Sequence, residues 1–246
     1  MATATDNLFD RVRKDGKRVL LAFSCGKDSL CAWVVLRDAG FEVVPAYRAW
    51  IPGLEFMEHT LRYYEDFFGT HIYRVQHPTL YVWLKTLTAT PQHRKDVIEL
   101  LNLPHFGFDD TNAGVKRTAG LPKDCWTAIA TRRADSLMRR QAIPANGFNE
   151  RAHEFFPVAD YNKDDLIRCL KGAGVKLPKD YELFGRSWDG LQYRYLAQIK
   201  QHYPRDYAKI LEWFPMQGME LFRAVVARRH GQDRAAAEEA RIARRR

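Results

Sequence analysis

No apolar run approaches the roughly 18 residues that a membrane-crossing helix needs, so no membrane partner is expected. The four cysteines, Cys25, Cys31, Cys125 and Cys169, form no C-x-x-C pair. That removes the local signature of zinc ligation, and no iron–sulfur cluster is expected. The eight histidines include no His-Glu-x-x-His spacing. The Walker A pattern, Gly-x-x-x-x-Gly-Lys-Ser/Thr, is also missing. No internal repeat is visible, and the one biased segment is an Ala/Arg/Glu stretch near the end. Met1 to Asp10 lacks an apolar signal core, so a cytoplasmic location with reduced thiols is expected.

What is present is a chain of 246 residues, 46% hydrophobic, enough for one large α/β core. Its net charge of +9 points toward polyanions: nucleotides, nucleic acid or acidic proteins. The excess is uneven. From Arg223 onward there are eight Arg against Asp233, Glu238 and Glu239. This basic tail reads either as a solvated helix end or as a contact for nucleic acid or an acidic protein partner. Homo-oligomerisation stays open.

The pattern along the chain is β-α-β-α-β. Val19 to Phe23 is a first strand, Leu30 to Leu36 lies in a helix, and Glu42 to Tyr47 is a second strand. A helix from Leu54 to Phe68 stops at Gly69, and His71 to Gln76 makes a third strand. His77-Pro78 follows, at the carboxyl end where open α/β sheets bind ligands. His71 and His77 read as strand-end residues. Pro78 to Leu101 looks mostly helical, and Asn102 to Lys123 looks like a long loop. Trp126 to Ala130 and Phe155 to Val158 are short strands, with a helix from Asp135 to Gln141 between them. Asn162 caps a helix over Leu166 to Lys171 that Gly172 and Gly174 close. Leu191 to Arg229 is again helical, broken near Pro204 and Pro215. The expectation is a doubly wound parallel sheet over residues 1–190 and a helical extension over 191–246.

Ser24-Cys25-Gly26-Lys27-Asp28-Ser29 sits between the first strand and its helix. A short loop of small residues with one Lys and two hydroxyls, opening a helix, is suited to phosphate. Free first-turn amides and the positive end of the helix dipole face the anion. Asp28 is the odd member, since a carboxylate is repelled by phosphates. It makes sense as a helix N-cap or as an indirect ligand of Mg²⁺. This S-x-G-K-D-S stretch resembles the PP-loop of ATP pyrophosphatases and of 3′-phosphoadenylylsulfate (PAPS) reductases.

A second stretch, Ala130-Thr131-Arg132-Arg133-Ala134-Asp135-Ser136-Leu137-Met138-Arg139, resembles the G-x-R-x-x-E-S-x-x-R element of the same superfamily. Ala130 and Asp135 depart from it, replacing Gly and Glu. A third, Phe156 to Leu166, resembles the P-I/V-x-D-W-x-x-x-D-V/L stretch that follows in PAPS reductases and reads as structural. Together the three span residues 18 to 185. The order implies that strands one and four are neighbours.

The resemblance implies a fold of the adenine-nucleotide α-hydrolase type. It implies Lys27, Arg132 and Arg139 as catalytic groups, and Ser24, Cys25, Gly26, Lys27, Asp28, Ser29, Tyr47, Arg132 and Ser136 as nucleotide-binding. ATP (or PAPS) and Mg²⁺ at Asp28 are the implied ligands. The PAPS reductases use a cysteine in a C-terminal E-C-G-x-H motif, and no Cys follows Cys169 here. The implied activity is therefore ATP cleavage at the α-phosphate to adenylate a substrate, as in sulfur or nucleic-acid modification. A PAPS-acting enzyme and a non-catalytic nucleotide-binding module are the alternatives.

Overall fold

The computed structural model describes residues 4–88, 95–227 and 229. Two compact units are present, one of residues 1–81 with 105–187 and one of 82–104 with 188–246.

The first unit is α/β. It opens with α1 (Ala4–Asp15), β1 (Arg18–Phe23), α2 (Lys27–Asp38), β2 (Glu42–Ala49), α3 (Glu55–Phe68) and β3 (Tyr73–Gln76). After β3 the chain enters α4 (Pro78–Lys85) and α5 (Lys95–Leu101), which run into the second unit. It returns with α6 (Phe108–Thr118), β4 (Thr127–Ala128), α7 (Leu137–Ala142), β5 (Phe148–Asn149), β6 (Glu154–Phe155), α8 (Lys163–Ala173) and α9 (Asp180–Phe184). The six strands form one sheet in the order β3-β2-β1-β4-β6-β5, parallel except for the β5–β6 pair.

Strand alternation sorts the core. Leu20 of β1 joins Val44 and Ala46 of β2 and Val115 of α6 in one cluster. Phe23, three residues on, points to the opposite face. Its ring meets Trp33 of α2 at 5.1 Å and Tyr64 of α3 at 5.7 Å, both edge-on. Leu20, Leu21 and Tyr64 are fully buried. Gly69 ends α3 in the left-handed conformation (φ 60°), and Gly174 ends α8 in the same way (φ 70°). Gly172 lies inside α8 rather than closing it.

The expected loop over Asn102 to Lys123 is corrected, because α6 occupies its centre. Gly, Asn and Asp obscure the helix in the sequence, yet they include its start signal. The Asp110 carboxylate accepts from the Gly107 N–H at 2.7 Å. The buried Thr111 and Val115 are one turn apart and give α6 its sheet-facing stripe. The later strands are shorter than expected, two residues each, and β5 is an edge strand absent from the pattern reading.

The second unit is helical. α10 (Tyr193–His202) and α11 (Pro204–Trp213) meet at Pro204, which begins α11 where its missing N–H is harmless. A further helical stretch covers 218–227. The Trp83 ring lies edge-on to Phe214 at 5.6 Å, and Tyr195, Leu196, Ile199, Ile210 and Phe214 are fully buried. The basic tail from residue 230 lies outside the described residues. No helix among the described residues is long and apolar enough to cross a membrane.

Candidate functional site

The buried β1 delivers the Ser24–Ser29 loop to the carboxyl edge of the sheet. Cys25 makes the turn with φ 60°, an uncommon left-handed conformation for a side-chain-bearing residue. Its side chain is fully buried, and burial, with Asp180 second, pushes the thiol pKa well above the ordinary value. It is a packing group and not a nucleophile.

Gly26 is the N-cap of α2, in extended conformation. This corrects the expectation that Asp28 caps the helix: Asp28 is inside the first turn. The loop is braced by its serines. The Ser29 hydroxyl donates to the Gly26 carbonyl at 2.9 Å, lies 3.1 Å from the Ser24 hydroxyl and accepts from the Ser24 N–H at 3.2 Å. The first-turn amides of Asp28 and Ser29 have no hydrogen-bond partner among the described residues.

β4 pairs with β1 in parallel, Leu20 beside Thr127 and Leu21 beside Ala128, so the segment after β4 emerges next to the loop. Arg132 then reaches back to it. Its Nε lies 2.7 Å from Asp28 Oδ1, while Lys27 Nζ is 2.7 Å from Asp28 Oδ2. A second carboxylate extends the chain of charges. Asp135 receives one Arg132 nitrogen at 2.6 Å and one Arg139 nitrogen at 2.8 Å. The result is Lys27–Asp28–Arg132–Asp135–Arg139, alternating in sign and ending in a cation at both ends.

The three cations are not equivalent. The Arg132 side chain is 8% exposed, and its third nitrogen donates to the Tyr161 carbonyl at 3.1 Å. Lys27 and Arg139 are 35% and 56% exposed. Arg132 therefore fixes the two carboxylates, and the outer cations meet solvent. Ser136 caps α7, accepting from the Arg139 N–H at 3.1 Å. Arg133 pairs with Asp160, and its backbone N–H donates to the Ala159 carbonyl at 2.8 Å. The Phe156–Leu166 stretch is thus the buttress of the arginine segment. Tyr47 is buried beneath the loop, and burial, with Cys25 second, pushes its pKa up.

No family model and no curated protein matches the chain.

Two features go beyond the sequence reading, a tyrosine over the loop and the ring partners of His77. Tyr181 of α9 lies over the loop, its hydroxyl accepting the Lys27 N–H at 3.0 Å. A Cβ at Gly26 would crowd the Ser24 hydroxyl at 3.3 Å, while Ser187 lies at ordinary contact distance, 3.5 Å away. No spacing rule links residue 181 to residue 27. The second feature is an aromatic cluster past β2 and β3. Trp50 stacks on His77 at 4.0 Å, Phe108 meets His77 edge-on at 5.5 Å, and the Arg48 guanidinium lies 5.3 Å from the Phe108 ring centre. Burial first, and Arg48 second, push the His77 pKa down to about 4. Histidine at a strand end was the signal here; its ring partners come from separate elements.

Among the described residues, no three of His, Cys, Asp and Glu are grouped to hold a metal ion. Asp28 is the loop's only carboxylate.

Proposed function

We propose that this protein is a PP-loop enzyme that binds ATP and cleaves it at the α-phosphate to adenylate a substrate. The observation that carries the reading is the charge chain from Lys27 to Arg139, assembled across β1 and β4 at the amino end of α2. The sheet order supports a doubly wound arrangement of the adenine-nucleotide α-hydrolase type. β1 and β4 are neighbours at the point where the strand order reverses, and nucleotides bind at that point in such sheets.

In this reading the amides of Asp28 and Ser29, with Lys27 and Arg139, hold the pyrophosphate end of the nucleotide. A substrate oxygen attacks the α-phosphorus, the bond to the bridging oxygen breaks, and pyrophosphate leaves toward these donors. Catalysis is positional and electrostatic, with no protein nucleophile. Arg132 is a positioning residue that keeps Asp28 and Asp135 in place. Asp28 is the loop residue that would hold a Mg²⁺ ion. There it would neutralise phosphate charge.

The substrate class we favour is nucleic acid, on the net charge of +9. Incubation with ATP, Mg²⁺ and RNA or DNA should release AMP and pyrophosphate. ADP and inorganic phosphate as the products would contradict the reading.

A further inference from the structure

The described thiols outside the charge chain are not all isolated. Cys31 lies one helical turn beyond Lys27 on α2, and Cys169 lies on α8, which packs against α2. The Cys169 thiol donates to the Cys31 carbonyl oxygen at 3.8 Å, which makes the two cysteines neighbours across the α2–α8 contact. Cys31 is fully buried, whereas Cys169 is half-buried and lines an open cleft of about 460 Å³ with Tyr161, Asp165 and Arg168. Cys169 can be reached from solvent and Cys31 cannot.

We propose that Cys31 and Cys169 are an oxidisable pair that a peroxide converts to a disulfide joining α2 to α8. Cys169 is the attacking group. The neighbouring Cys31 thiol holds the Cys169 pKa below the ordinary thiol value, and Cys169 together with burial pushes Cys31 up. The Cys169 thiolate attacks one peroxide oxygen and the O–O bond breaks. The departing hydroxide takes up a proton and leaves as water. Cys169 becomes a sulfenic acid, oxidised by two electrons. The Cys31 sulfur then attacks the Cys169 sulfur and the S–O bond breaks. The Cys31 proton leaves with the hydroxyl as a second water. Two thiols and one peroxide yield one disulfide and two waters. The other two cysteines are committed elsewhere. Cys25 is sealed in the loop, and Cys125 is buried, donating to the Arg18 carbonyl at 3.2 Å.

The site matters because α2 opens with Lys27 and Asp28, while the flank of α8 supplies the Tyr161 carbonyl that holds Arg132. A bridge here ties α2, which carries Lys27 and Asp28, to α8, the helix that follows the Tyr161 carbonyl.

The test is native oxidation of the full chain with stoichiometric hydrogen peroxide, followed by non-reducing peptide mapping. The expected result is the Cys31 peptide joined to the Cys169 peptide, separating on treatment with dithiothreitol. In Cys31→Ser, dimedone should label Cys169 as a trapped sulfenic acid. Four outcomes overturn the proposal: bridging through Cys25 or Cys125, bridging between two chains, sulfinic acid at Cys169 with Cys31 unchanged, or no thiol loss. The wild-type map decides the matter even if the variant fails to fold.

Discussion

Arg132 and Arg139 belong to one motif, yet their surroundings give them different duties. Arg132 is buried against two carboxylates and a carbonyl. Removing it leaves those charges uncompensated in a partly buried setting, so Arg132→Ala should destabilise the fold by about 3 kcal/mol. Arg139 is more than half exposed, so Arg139→Ala should change stability by less than about 1 kcal/mol while weakening nucleotide binding. Urea unfolding of both variants checks the contrast; equal losses would remove the division of labour. His77 makes a pH prediction. Its Nδ1 accepts from the Thr79 N–H at 3.1 Å, and its folded pKa is about 4 against an ordinary 6.5. Above pH 6.5 the imidazole is neutral in both states and has no effect. Between 6.5 and 4 only the unfolded chain takes up the proton, so stability falls as pH drops through that window. His77→Gln should flatten this slope in unfolding curves measured at pH 4.5 and 7; an unchanged slope would assign the effect elsewhere. At this scale the sequence was informative where the site is contiguous. Ser24 to Ser29 and Arg132 to Arg139 are short runs whose chemistry is local. Tyr181 and Phe108 reach the site only through folding, so no local pattern could name them.

Among elements, the best-read ones carry their own end signals. Asn162 caps α8 by accepting from the Asp164 and Asp165 amides at 2.8 and 3.0 Å, while Asp165 returns the bond to the Asn162 N–H at 2.9 Å. Asn162→Ala should therefore cost about 1 kcal/mol, and thermal unfolding at neutral pH would measure it; no loss would mean the cap is replaced by solvent. α3 was equally plain, with apolar spacing and Gly69 beyond its end. α6 was missed because Gly, Asn and Asp are read as loop formers. Its stability comes from Val115 against the sheet, which propensity does not register. The two-residue strands β4, β5 and β6 fall below the length at which alternation is measurable. Their pairing is set by neighbours, and only the order of motifs hinted that β4 lies beside β1.

For the whole molecule, charge is the property that reaches beyond the site. The basic tail supplies much of the +9, and its electrostatic contacts to phosphates would release counterions. Truncation after Gln232 should weaken binding to single- or double-stranded nucleic acid, with the difference shrinking as salt rises. Filter-binding titrations at two salt concentrations test this; equal binding by both forms would leave the tail a solvated end. Nucleotide binding should survive truncation, because the charge chain ends at Arg139. That chain is the centre of the account, and calorimetric titration with ATP and Mg²⁺ tests it most directly. The wild type should bind, and Lys27→Ala should lose about 1.5–3 kcal/mol of affinity, roughly tenfold or more, with its fold intact. Equal affinity in the two proteins, or no binding by the wild type, would contradict it.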